Sequence, residues 1–128
     1  MYVVNRTRGT YLGVDIKRAD SFRKRLLGLY AHRELPVGDG IWMIPCAGVQ
    51  TVGMKRTIDV VFLDLAKRVI RVYAHLRAGR VIWWVRGAHS ALEVPAGVVA
   101  SSETQVGDVV EFVESLSGTA AASPSLWS

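Results

Sequence analysis

Between Lys55 and Asp59 the chain sets a cation, a hydroxyl and a carboxylate within five residues, in the run Met54-Lys55-Arg56-Thr57-Ile58-Asp59. That set suits a small polar or anionic ligand, with Lys55 supplying charge, Thr57 a hydroxyl and Asp59 orientation. The same residues also fit an internal salt bridge and a turn in which Asp59 accepts backbone amides. Glu93 is a second candidate, because a carboxylate between Leu92 and Val94 requires a cationic partner if it turns inward. Arg25 and Lys55 are the partners on offer, and Trp42 is placed as an apolar wall. Ligand binding, or docking of a protein partner, is the leading expectation. The enzymatic alternative is a small hydrolase or isomerase with Asp59 and Glu93 as acid and base. It requires both carboxyls in one cleft, their pKa values pushed apart.

Other chemistries find less support. Cys46 is the only cysteine, which excludes an intramolecular disulfide and any zinc site of two or more cysteines. Beside Pro45 in an apolar run it reads as a small buried hydrophobe. His32, His75 and His89 are far apart and form no H-x-x-H or H-x-x-x-H pair. No G-x-S-x-G occurs, and Pro36–Gly40 is too short for a phosphate loop. No metal and no cofactor is expected.

The formal net charge of +5 conceals an asymmetry. All 16 Lys and Arg lie between Arg6 and Arg86, among six acids, whereas five acids and no Lys or Arg follow Gly87. This marks an anion-binding face, or two halves that interleave and neutralise each other across strands. A sequence pI near 9.8 with Trp42, Tyr73, Trp83 and Trp84 raises single-stranded nucleic-acid binding as a further alternative. Against it, Trp83 and Trp84 must face opposite sides of a strand over Val81–Val85, which sends at least one ring into the core. Nucleic acid is therefore not the expected partner.

The elements that must position these residues are mostly strands. Tyr11–Lys17 alternates, as a half-buried strand does. Asp20 or Ser21 caps a helix whose apolar stripe is Phe22, Leu26, Leu29 and Tyr30. Strands are predicted at 41–44, 51–56, 59–64, 68–76, 81–85, 91–94 and 109–114, with 97–103 a loop or single helical turn. The sequence after Leu116 loses periodicity and contains Pro and Ser, so 117–128 is expected to be a disordered tail carrying Trp127. The expectation is one mainly-β domain over 1–116, a β-sandwich or closed β-barrel with one short helix in its N-terminal half. No apolar run approaches the ~20 residues that span a bilayer, and no signal-type h-region is visible, so a cytoplasmic protein is the default.

Five pieces occur in an order that resembles the domain-of-unknown-function family 192, a group of small bacterial and archaeal proteins. They are Arg25-Leu26-Leu27-Gly28-Leu29, Gly40-Ile41-Trp42, Gly53 through Asp64, Leu92-Glu93-Val94-Pro95-Ala96-Gly97, and Val106-Gly107-Asp108-Val109-Val110. The resemblance implies a compact mainly-β domain with a short helix carrying the Arg25–Leu29 segment. It implies no established activity, and it implies that relatives are often exported. Relatives with the Pro-Cys pair commonly read Val-His-Thr where this chain has Val49-Gln50-Thr51. Gln50 is neither a base nor a good ligand for a soft metal, which weakens any catalytic or metal role for Cys46.

Overall fold

The computed structural model describes residues 1–19 and 35–114. The predicted helix from Asp20, with Arg25, and the tail with Trp127 lie outside the described residues. In chain order the elements are β1 (Tyr2–Asn5), β2 (Thr10–Gly13), β3 (Asp15–Ala19), β4 (Asp39–Met43), β5 (Val49–Gln50), β6 (Ile58–Leu63) and β7 (Val69–Leu76). There follow β8 (Val81–Ile82), β9 (Ser90–Pro95), the short helix α1 (Val98–Ser101) and β10 (Val110–Val113).

A five-stranded sheet, ordered β3-β4-β9-β6-β7, organises the rest. Its β3–β4 pair is parallel and the other pairs are antiparallel. Parallel neighbours need a long crossover, which residues 20–38 are long enough to supply. Both β6 and β9 are buried at every position, so their sequences read as continuous apolar runs with little alternation. One face of the sheet contributes Trp42, Val61, Leu63, Leu92 and Val94 to a core shared with Val3, Leu12, Val98, Val99 and Val110. That face is covered by α1 and by a three-stranded sheet, β10-β1-β2. The other face contributes Ile41, Met43, Ile58, Val60, Phe62 and Ala91 to a second core, completed by Val49, Ile82 and Val85 beneath the two-stranded sheet β5-β8.

The mainly-β expectation therefore stands, and the closed barrel does not. All three sheets are open, ending on β10 and β2, on β3 and β7, and on β5 and β8. Closure would need the outer strands to pair with each other. Three local expectations also change. Tyr11–Lys17 is broken at Val14 into β2 and β3, which belong to different sheets. Residues 51–56 form a turn rather than a strand, because the Thr51 hydroxyl donates to the Arg77 carbonyl (2.7 Å) and accepts from the Arg80 amide (2.8 Å). The strand over Val81–Val85 ends at Ile82, so the rule of opposite faces does not hold for the two indoles. Trp83 is 87% exposed and Trp84 67%.

The two charge halves interleave. β1 pairs with β10, and across that seam Arg6 meets Glu111 (2.7 Å) and Arg8 meets Asp108 (3.1 Å). Behind it lies a buried polar network. The Asn5 amide donates to Thr104 Oγ1 and to Asp108 Oδ2, both at 3.0 Å, and the Gln105 amide donates to the same Asp108 oxygen at 2.9 Å. Burial alone would raise the Asp108 pKa, but hydrogen bonds from Asn5, Arg8 and Gln105, with the Arg8 charge, bring it below the ordinary carboxylate value.

Candidate functional site: a cleft at the end of the central sheet

The start of β6, the end of β9 and the approach to β4 meet at one end of the central sheet, where Ile58 pairs with Pro95. A cleft of about 480 Å³ opens there, lined by Lys55, Arg56 and Thr57 on one side, Pro95 and Ala96 on another, and Leu35–Val37 on a third. Lys55 and Thr57 are exposed and Arg56 is half-buried. Among the described residues no carboxylate lines the cleft, and Lys55 forms no ion pair.

Asp59 stands one residue further into β6 and is fully buried. Its Oδ2 accepts the amides of Gly97 (3.0 Å) and Val99 (2.9 Å). Its Oδ1 accepts the amide of His75 (2.8 Å), which a bulge in β7 releases from the sheet ladder. His75 has a positive φ of 56°, so the carboxylate compensates an irregular backbone. Gly97, at φ 100°, begins α1 directly after the cleft wall at Pro95 and Ala96. Asp59 is therefore a positioning residue in this structure: it holds the turn that forms the wall, while its charge is committed to amides.

Glu93 is separated from it. Glu93 is directly opposite Ile41 and Val60, on the β5–β8 side, whereas Asp59 is opposite Val94, on the side of α1. Directly paired residues share a face and successive ones alternate. The two carboxylates thus lie on opposite faces of one sheet, and the acid–base pair needed by the hydrolase or isomerase alternative does not form. Trp42 is also not among the residues that line the cleft. It is 6% exposed, stacks on Phe112 with ring centroids 3.8 Å apart, and has the Arg18 guanidinium 5.5 Å from its ring. Of the six sequence candidates, the structure brings Lys55 and Thr57 together in the cleft and places Asp59 behind its wall.

Sequence reasoning missed a second concavity, on the β5–β8 side. Met43, Pro45, Cys46, Gly48, Gln50 and Trp83 line a groove of about 380 Å³. Cys46 is half-buried there and its thiol donates to the Gly48 carbonyl at 2.9 Å. A Cβ on Gly48 would lie 2.5 Å from the Trp83 carbonyl oxygen, so glycine is what allows this close backbone approach. The available signal was Trp83-Trp84 at the end of a short β-prone run, obscured by extending that run to Val85. Among the described residues no cluster of three or more His, Cys, Asp or Glu gathers, and no helix is long and apolar enough to cross a membrane.

Fold and site together define a mainly-β protein of three open sheets with a basic cleft at one end of the central sheet. A model of the DUF192 family, described as an uncharacterized ACR family, matches residues 3–112, and the chain belongs to that family. It is similar to the UPF0127 protein of Pyrococcus furiosus, 30% identical over 115 residues that cover 86% of this chain and 97% of the relative. A UPF0127 protein of Thermococcus sibiricus is 27% identical over 115 residues, covering 86% and 73%. The fold is similar to the crystal structure of a protein of unknown function from Novosphingobium aromaticivorans, with a TM-score of 0.70 at 20% identity, covering 87% of this chain and 82% of that one.

Proposed function

We propose that this chain is a binding domain for a small anionic ligand, held in the cleft of Lys55, Arg56 and Thr57. The observation that carries the reading is a concave lining that, among the described residues, presents the exposed Lys55 and Thr57 and no acid, behind which the Asp59 carboxylate is already satisfied by three amides. Ligand pockets commonly combine apolar walls with a few convergent polar groups, and Leu35, Pro36, Val37 and Pro95 supply the walls here. A carboxylate or phosphate would accept from Lys55 and Thr57 while its apolar part lies against the prolines. The stacked sheets, read as an open sandwich, form a rigid frame for this end-on site. Thermal-shift titration with phosphate, citrate, nucleotides, amino acids and acidic sugars tests the reading. An anion at about 100 times its dissociation constant adds about 2.7 kcal/mol to stability, and Lys55→Ala should weaken the same anion about tenfold. A hit unaffected by Lys55→Ala would place binding elsewhere.

A further inference from the structure

We propose that the β8 surface is a second, distinct site, which binds single-stranded nucleic acid by stacking bases on Trp83 and Trp84. Three independent observations converge on it. First, both indoles project into solvent, 87% and 67% exposed, beside Val81 at 41%. Large exposed aromatics of this kind usually mark an interaction surface. Second, the chain around β8 is rich in cations. Between residues 65 and 92 the chain has six Lys or Arg and no acid, and no residue from Gly40 to Ile58, the stretch that contains β5, is acidic. Arg77, Arg80 and Arg86 are exposed, and among the described residues they form no ion pair. Arg80 precedes and Arg86 follows the indoles along the chain, three residues before Trp83 and two after Trp84. Third, Trp83 is one wall of the groove that also holds Gln50. The Gln50 Oε1 accepts the Val52 amide at 2.8 Å, which directs its NH2 to act as donor.

Aromatic faces for bases, arginines for phosphates and a side groove with an amide donor are the requirements of a single strand. A bilayer surface would use the indoles and arginines but leave the groove without a role, and an acidic protein segment would not need two open π-faces. The Thr51 hydrogen bonds to Arg77 and Arg80 fix the turn before β8, so the cationic end of the surface is preorganised.

The test is fluorescence anisotropy of labelled 12-mer single strands (oligo-dT and oligo-rU) against the full chain, with a duplex of equal length and phosphatidylserine vesicles as comparisons. Trp83→Ala and Trp84→Ala remove exposed rings and should leave the melting temperature unchanged while weakening single-strand binding by about 5- to 150-fold, the range for loss of one stacked base. Arg80→Gln or Arg86→Gln should flatten the salt dependence by about 0.7 in the log–log slope for each phosphate no longer neutralised. Lys55→Ala should leave this binding intact, which separates the surface from the anion cleft. Absence of single-strand binding, binding indifferent to both tryptophan substitutions, equal affinity for duplex, or vesicle binding without oligonucleotide binding would each overturn the proposal.

Discussion

Asp59 shows how one side chain can look like a ligand contact and act through the backbone. Its two oxygens collect amides from β7 and from the start of α1, which are distant in sequence. Hydrogen bonds to a charged acceptor contribute more than neutral ones, and orphaning buried donors costs about 1–3 kcal/mol each. Asp59→Asn should therefore lower stability by roughly 3 kcal/mol in denaturant unfolding, because an amide offers one acceptor and brings two donors to face N–H groups. A loss of less than about 1 kcal/mol would mean that the three amides find other partners. The residue types between Lys55 and Asp59 are legible as a polar cluster, and so is the prospect that Asp59 serves amides. Which of the two uses applies is not, because the His75 bulge and the Gly97 turn that demand an acceptor lie 16 and 38 residues away. Glu93 and Trp42 illustrate the same limit. Alternation along a strand says that neighbours face opposite ways, but only strand pairing says which face is which.

Among the elements, those with a strong internal pattern are legible in the sequence. β6 and β9 stand out as short apolar runs bounded by acids or proline, β7 as an alternating segment returning from a turn at Asp64, and α1 as a single helical turn after Gly97. Asp64 closes the β6–β7 turn by accepting the Ala66 and Arg68 amides, both at 2.9 Å, an arrangement common for Asp in turns. Elements whose form depends on a distant partner are not legible in this way. Residues 51–56 have strand-like composition, yet Thr51 trades hydrogen bonds with the turn before β8 and bends the chain away. Thr51 is fully buried, so Thr51→Val keeps its shape and removes only the hydroxyl. The expected loss is about 1–3 kcal/mol by chemical denaturation, since the Arg80 amide loses its side-chain acceptor. An unchanged midpoint would show that the Thr51 backbone contacts to Gly79 and Arg80 hold the turn unaided. β8 stops after two residues because Val85 turns inward, buried at 7% exposure, with its amide donating to Ala47. That turn carries both indoles out of strand geometry.

On the scale of the whole molecule, the charges of the two halves meet where β1 pairs with β10. The acidic C-terminal half folds back so that β10 lies against β1, and Asp108 becomes the hub of the Asn5, Arg8 and Gln105 contacts. Its pKa is lowered on folding, so its contribution is present above the unfolded carboxylate value of about 3.9 and is lost as pH falls through the lower folded value. Unfolding midpoints measured between pH 7 and pH 2 should therefore decline through this acid window. Arg8→Gln should make that decline smaller by removing the charge that favours ionised Asp108. An identical pH profile in the variant would show that the Asn5 and Gln105 hydrogen bonds, rather than Arg8, hold the Asp108 pKa down. Among the described residues no comparable ion pair reaches Lys55 or Arg77, Arg80 and Arg86 around β8, so positive charge stays exposed at those positions. Net composition makes the basic excess visible in the sequence. Where it remains unpaired depends on the β1–β10 pairing, which joins residues more than 100 positions apart.

The most direct test of the anion cleft is a backbone-amide NMR titration of the intact chain with phosphate and citrate, run in parallel on wild type and Lys55→Ala. Binding in the cleft predicts saturable shifts centred on 55–57, the Ala96–Gly97 turn and the adjoining Leu35 and Val37, with about tenfold weaker affinity in the variant. Shifts absent from those residues, or equal affinity in both proteins, would contradict the assignment of the cleft as the ligand site.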